Sequence, residues 1–334
     1  MLRRRHGRYS GAAVTRQNTL PIDPHGLAEA ARRILAGEPV AVPTETVYGL
    51  AADATDPEAV ARIYAAKGRP SFNPLIVHVE SLAAAERLAE FTDEARALAE
   101  AFWPGPLTLV LPRRAGSGLA PAVSAGLATI GLRVPSHPAM LALLRAVGRP
   151  LAAPSANASG GISPTTAEHV RASLGARAPL ILDGGPTERG VESTIVAVGP
   201  EGVRVLRPGP VTVAEIERVA KARPGAVSGD GPIEAPGMLA SHYAPSKPVR
   251  LNAEAAAVDE WLIGFGPVAG DESLSLRGDP AEAAANLFAA LHRGEASPKP
   301  RIAVAPVPER GVGVAVNDRL RRAAAPRAPR GEPA

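Results

Sequence analysis

Apolar positions along the chain switch repeatedly between a two-residue and a 3.6-residue period, which predicts alternating strands and helices. From 24 to 35, Leu27, Ala31, Ile34 and Leu35 recur on one helical face, opened by Asp23-Pro24 and stopped at Gly37. Residues 39–42 are a short apolar strand that delivers the polar tip Thr44-Glu45-Thr46. Asp56-Pro57 then opens a helix in which Val60, Ile63 and Tyr64 share a face and which Gly68 ends. Leu75, Val77 and Val79 alternate with His78 in a strand that turns the imidazole away from the apolar face. Ser81 and Thr92 N-cap two Ala/Glu-rich helices, the second closing at Trp103-Pro104. Strands follow over 107–111 and 129–134, with Arg133 near the end of the second. A helix over 138–147, a strand over 151–153, a polar loop, a helix ending at Gly175 and a strand over 180–183 continue the alternation. Residues 193–198 and 203–206 read as a hairpin, and Thr212-x-x-Glu215 is a capping box. The expected fold is α/β, an open twisted mixed sheet with flanking helices.

From 221 to 248 the composition shifts to Pro, Gly, Ser and Ala, the mark of a semi-rigid linker. Within it, Pro236-Gly-Met-Leu-Ala-Ser-His-Tyr-Ala-Pro245 is too rich in His, Tyr and Met for a spacer. Alternation resumes with a strand, an acidic helix, a strand over 261–265, a helix over 280–292, a strand over 302–304 and a last helix through Asn317-Asp-Arg-Leu-Arg-Arg322. The expected organisation is a basic disordered extension over 1–20 and a large domain over 21–220. After the linker come a smaller α/β, Rossmann-like domain over 249–323 and a disordered tail over 324–334.

Composition narrows the chemistry. The 334 residues are 46% hydrophobic but only 3% aromatic, so the core must be packed from Ala, Val, Leu and Ile. With no cysteine, disulfides and thiolate metal sites are excluded. No apolar run approaches the ~20 residues that span a bilayer, and the Arg-rich start lacks the apolar core of a secretory signal. A cytoplasmic location without a membrane partner is therefore expected. A net charge of +4 suits an anionic ligand without choosing between a nucleotide and a nucleic acid. There is no Walker A loop, no Gly-x-Gly-x-x-Gly after a strand and no His pair at helical metal spacing. A nucleotide would have to be held by dispersed cations and hydroxyls, and no protein metal site is expected.

Lys67 and Arg69 lead the candidates. A Lys-x-Arg pair at a helix C-terminus is ordinarily solvated and favoured there by the helix dipole. Here Gly68 and Pro70 stiffen it and Asn73-Pro74 adds a polar turn, the rigid display that phosphate recognition needs. Ser155, Asn157 and Ser163, with Gly160-Gly161, form either an ordinary capped loop or a phosphate-facing one. Arg133 and Arg207 sit at strand ends, and His78 and Glu192-Ser193-Thr194 at strand edges; singly, each reads as a surface or core residue.

Together these residues name a family. Pro43-Thr-Glu-Thr-Val-Tyr-Gly-Leu50, Lys67-Gly-Arg-Pro70, Asn73-Pro-Leu-Ile-Val-His78, Gly131-Leu-Arg-Val-Pro135, Pro154-Ser-Ala-Asn157, Ser159-Gly160, Glu192-Ser-Thr-Ile195 and Arg207-Pro-Gly209 closely resemble the YrdC-like threonylcarbamoyl-AMP synthases. His242-Tyr243-Ala-Pro245 and Asn317-Asp-Arg-Leu320 resemble the long, two-domain form. The resemblance runs from about Pro21 to Arg322 and implies a YrdC-like catalytic domain. It implies that L-threonine, bicarbonate and ATP, with Mg2+ accompanying the triphosphate, give threonylcarbamoyl-AMP and pyrophosphate by adenylyl transfer. A separate tRNA threonylcarbamoyl transferase, a transient partner, would use the product to make N6-threonylcarbamoyladenosine at position 37 of tRNA. By motif, Thr46, His78, Arg133, Ala153 and Ser193 would line the threonine pocket, Ala153 through its backbone. Arg69, Asn73, Thr129, Ser155, Ser163, Arg207 and Tyr243 would contact ATP, with Lys67 and Arg69 as the catalytic cations and His242-Tyr243 as a lid. Two rivals remain at this point. An RNA-binding or ribosome-maturation protein would use the same basic surface, and the basic ends suit weak RNA binding, but no aromatic stacking pattern supports it. A carbamoyl transfer of the hydrogenase-maturation kind would need a zinc finger that a chain without cysteine cannot build.

Overall fold

The computed structural model describes residues 18–70, 72–200, 202–220, 225–226, 234–238 and 241–326. Residues 1–17 and 327–334, on which most of the expected disorder fell, and much of the linker lie outside the described residues.

The large domain comprises β1 (Thr19–Pro21), α1 (Pro24–Leu35), β2 (Val40–Pro43), β3 (Tyr48–Asp53), α2 (Pro57–Lys67), β4 (Ile76–His78), α3 (Leu82–Glu86), α4 (Asp93–Phe102) and β5 (Leu107–Pro112). It continues with β6 (Thr129–Arg133), α5 (Pro138–Val147), β7 (Leu151–Ala152), α6 (Ala167–Leu174), β8 (Leu180–Asp183), β9 (Thr194–Gly199), β10 (Gly202–Arg207), α7 (Val213–Ala220) and β11 (Gly225–Ala226). Its strands form one mixed sheet in the order β1-β8-β2-β3-β7-β4-β6-β5-β9-β10-β11. The expected caps hold the helices. Asp23 accepts from Gly26 N, Asp56 from Glu58 N and Ala59 N, Ser81 from Ala84 N and Thr92 from Ala95 N. Thr212 and Glu215 exchange their bonds as a capping box does.

Four elements differ from the sequence reading. A strand begins at Thr19, inside the stretch expected to be disordered, because β1 pairs parallel with β8 and so satisfies its backbone. The Thr-Glu-Thr tip is a hairpin turn: Tyr48 pairs with Pro43, and β3 returns antiparallel along β2. All six β3 residues are buried, so the strand shows no two-residue alternation. On α1, Gly26, Ala30, Ala31 and Ile34 make the buried face, while Leu35 is half exposed. The acidic stretch after residue 250 is irregular rather than helical. There Glu260 is held by Arg250 Nε and Nη2 at 2.9 and 2.7 Å and by Ala257 N at 2.8 Å, which ties a loop where a helix was expected.

The smaller domain contains β12 (Val249–Arg250), β13 (Glu260–Gly264), β14 (Glu272–Ser273), α8 (Pro280–Ala296), β15 (Arg301–Val304) and α9 (Gly313–Ala324). Its four strands are all parallel, in the order β12-β15-β13-β14, as a small Rossmann-like unit requires. The two domains share a core: Val47, Ile162, Val191 and Tyr243 pack in one cluster with Phe288, Leu287 and Leu320. Gly190 (φ +68°) lets α8 approach closely, since a Cβ there would lie 2.4 Å from the carbonyl oxygens of Ala284 and Ala285. On the open face of the large sheet, Ile76, Val110, Ile195, Ala197 and Leu206 are covered by Ala235 and Met238 of the linker. The linker is therefore seated on the sheet.

Candidate active site

A cavity opens where the β2–β3 turn, the ends of β4, β6 and β10, the segments after β7 and before β9, and the linker meet. Thr46, His78, Arg133, Ala153 and Ser193 line it together with Arg69, Ser155, Arg207 and Tyr243. Nine of the residues expected at the site thus face one hollow.

One end is built around Arg133. Its Nε donates to Gly105 O at 3.1 Å and its Nη1 to Thr46 Oγ1 at 3.1 Å, while Thr44 Oγ1 lies 2.8 Å from Thr46 Oγ1. Arg133 Nη2 is 2.6 Å from Glu45 Oε1 and both side chains are buried, yet neither atom is aligned for a hydrogen bond. Burial raises the affinity of Glu45 for a proton, but the Arg133 charge and backbone donors more than offset it and hold the carboxyl below its ordinary value. His78 pairs in register with Arg133 across β4 and β6. Burial first, then the neighbouring Arg133, lowers the imidazole to about 3, and its Nδ1 has no protein partner. Buried polar atoms in native structures are rarely left so. Here two of the residues that carry them, His78 and Arg133, line the hollow, as groups that receive a ligand do.

The other end is cationic. Arg207 donates from Nε and Nη2 to Ser193 O at 3.1 and 3.0 Å, and from Nη1 to Pro236 O at 3.2 Å. Ser193 Oγ is 2.8 Å from Thr108 Oγ1. Arg69 is braced by Asn73 Oδ1 at 2.6 Å and Pro74 O at 2.8 Å. Burial lowers Arg69 to about 10 and depresses Arg207 as well. His242 lies well below its ordinary value, first through burial and then through Arg69, Lys67, Arg207 and Arg319. So much positive charge in a buried wall calls for an anion.

Four expected contacts do not line this cavity. Lys67, read as a displayed cation, is buried and donates to the carbonyls of Ser155 and Asn157, the latter at 2.6 Å. It fixes the Ser155 loop rather than facing the hollow. Asn73 braces Arg69, and Ser163 donates to Glu192 Oε1. Thr129 lines a separate hollow with Val110, Arg204 and Glu234. It shares the open face of β6 with Arg133, because Ile130 and Leu132 point into the core. Thr44, Glu192 and Gly237 also form the wall, and sequence reasoning gave them no role there. The signal for Glu192 was its place in the Glu192-Ser-Thr-Ile195 motif.

No group of three His, Asp or Glu side chains positioned to hold a metal occurs among the described residues. No helix among them is long and apolar enough to cross a membrane.

Residues 32–209 match the Sua5/YciO/YrdC family, described as telomere recombination. Residues 211–325 match the threonylcarbamoyl-AMP synthase C-terminal domain. The threonylcarbamoyl-AMP synthase of Bacillus subtilis is 40% identical over 325 residues, 89% of this chain and 92% of its own. That of Pyrococcus abyssi is 43% identical over 318 residues, 88% and 92% of the two chains. The crystal structure of P. abyssi Sua5 complexed with L-threonine superposes with a TM-score of 0.83 at 39% identity, covering 92% of this chain and 96% of that one.

Proposed function

Because the chain belongs to the threonylcarbamoyl-AMP synthase family, we propose that it makes threonylcarbamoyl-AMP, for tRNA modification, in the cavity under its linker. The observation that carries this reading is the convergence of Arg69, Arg133 and Arg207 with Thr46, Ser155 and Ser193 on one hollow that Tyr243 also lines. Within the reading, the Arg133 end takes L-threonine. Arg133 Nη2 meets the carboxylate, while Thr46, Ser193 and the unpartnered His78 Nδ1 surround the rest. The Arg69–Ser155–Arg207 end takes the phosphates of ATP. Asn73 and Lys67 act through Arg69 and Ser155, and Thr129 and Ser163 reach the nucleotide only if it extends along the β6 face or Ser163 turns from Glu192.

The threonine amine adds to the carbon of bicarbonate, and water leaves to give a carbamate. A carbamate oxygen then bonds to the α-phosphorus as the bond from that phosphorus to the bridging oxygen breaks. The electron pair departs with pyrophosphate. The attacking oxygen is already anionic, so no side chain need remove its proton in the transfer step. The reaction class is nucleotidyl transfer. Fixed cations stabilise the charge that develops at phosphorus, and alignment of the two reactants is worth up to ~7–11 kcal/mol. A seated linker excludes water from a carbamate that otherwise decomposes. Glu192 is engaged by Arg319 and Glu45 by Arg133, and the described residues hold no dedicated cage for Mg2+. The ion fits as part of the MgATP substrate, with coordination from phosphate and water. The reading places the enzyme in the cytoplasm, beside its ATP and the transferase that consumes its product.

Pyrophosphate release measured with ATP, L-threonine and bicarbonate, each omitted in turn, tests the proposal. Release that requires all three supports it. ATP cleavage indifferent to threonine contradicts it, and tight, salt-sensitive RNA binding without turnover would favour the RNA-binding alternative.

A further inference from the structure

The reading above leaves one buried cation without a task. Arg319, on α9 of the smaller domain, is fully buried but is not part of the cavity wall. Its Nε donates to Glu192 Oε2 at 2.9 Å and its Nη1 to Pro208 O at 2.8 Å, with Asp318 Oδ2 also 2.8 Å from Nη1. Its guanidinium lies 5.2 Å from the centre of the Tyr243 ring. Each contact adjoins the nucleotide end of the cavity. Glu192 precedes Ser193, whose carbonyl accepts from Arg207, and Pro208 follows Arg207 directly. Tyr243 is the linker residue whose hydroxyl stands 3.5 Å from Arg207 Nη1. One side chain from the smaller domain therefore grips the start of β9, the end of β10 and the linker.

The charge balance points the same way. Glu192 is an acidic residue in the wall of the cation-rich end of the cavity, its two carboxylate oxygens held by Ser163 and Arg319. A carboxylate there repels a triphosphate unless a counter-cation is fixed behind it. Arg319 stands behind it, out of the ligand's reach.

We infer that Arg319 is a positioning residue for the synthase: it neutralises Glu192 and clamps Ser193, Arg207 and Tyr243 in register, so that ATP binding depends on the docked smaller domain. The inference rests on the synthase reading. The test compares the full-length wild type with Arg319→Met, Glu192→Gln and the double variant, measuring kcat, the KM values for ATP and for threonine, and Tm. Arg319→Met leaves Glu192 as an uncompensated anion, so KM for ATP rises about tenfold or more while KM for threonine changes much less. The double variant replaces the pair with neutral groups and returns KM for ATP to within about threefold of Glu192→Gln alone. A lowered Tm with an unaltered KM for ATP, or no recovery in the double variant, overturns the inference. If Arg319→Met fails to fold, Arg319→Lys decides. It keeps the charge but cannot reach Glu192 and Pro208 together, so kcat falls and KM for ATP stays near normal; wild-type kinetics would overturn the clamp. A wild-type chain that releases no threonine-dependent pyrophosphate removes the synthase reading and this inference with it. An active wild type with an unaffected Arg319→Met removes the inference alone.

Discussion

Arg133 shows how a single side chain divides the site. It is bound to Gly105 O and Thr46 Oγ1 and paired with Glu45, at the opposite end from Arg69 and Arg207. Arg133→Ala is therefore expected to raise KM for threonine by about tenfold or more with little change for ATP, because a charge-assisted contact is lost at one end only. Steady-state kinetics with each substrate varied in turn checks this, and a larger effect on ATP would mean the two ends are reversed. Lys67 behaves differently. Burial, then the neighbouring Arg69, places its ammonium well below the ordinary lysine range, and its donors are spent on Ser155 and Asn157 carbonyls. Lys67→Ala should lower both Tm and pyrophosphate release, since two buried carbonyls lose their donor and the Ser155 loop loosens. Loss of activity at unchanged Tm would instead place Lys67 in direct contact with substrate. The sequence displayed both cations and the stiff Gly68 and Pro70 beside Lys67. Which of them faced a ligand depended on Ser155, 88 residues away, and no local spacing reports that.

The elements were most legible where a cap or a period stood in the chain. Asp23, Asp56, Ser81, Thr92 and the Thr212/Glu215 box mark helix starts that the structure repeats. Strands buried on both faces were less so: β3 carries six buried residues and therefore no alternation. The close seating of the linker turns on Gly237. At φ +84° it lies where a Cβ would come within 2.4 Å of the Tyr243 hydroxyl and 3.1 Å of Arg207 Nη1. Gly237→Ala should keep the linker from seating, raising KM for ATP and lowering kcat while the two cores stay folded. Normal kinetics would show that a seated linker is not needed. At Gly190 the same substitution drives a methyl group into the α8 backbone. It should undock the smaller domain, seen as a second transition in thermal unfolding, and reduce turnover as Arg319 is withdrawn from Glu192.

Across the whole molecule, the domain seam is also where acid should act. His169 of α6 and His292 of α8 stack with ring centres 3.9 Å apart, and His292 Nε2 is 3.1 Å from Ser163 O. Burial lowers His169 to about 3 and His292 to about 4, and Arg293 beside them adds to the effect on His169. The folded values lie below the ~6.5 of an unfolded histidine. The unfolded chain therefore takes up protons first, and stability present above pH ~6.5 is lost as the pH falls towards the folded values. Tm should decline from pH 7 to pH 5, and His169→Gln with His292→Gln should flatten that decline; an unchanged slope would place the sensitivity elsewhere, His78 being the next group. The His169–His292 contact was not legible in the chain, because residues 169 and 292 meet only when the two domains dock.

The central claim is that threonine carbamate and the α-phosphorus of ATP meet in one cavity. Incubation with [14C]bicarbonate, [3H]threonine and [α-32P]ATP tests it most directly. One product carrying all three labels in equal proportion, with unlabelled pyrophosphate released alongside, is the predicted result. Labelled AMP or ADP that carries neither carbon nor threonine, formed at the same rate whether or not threonine is present, would contradict the account.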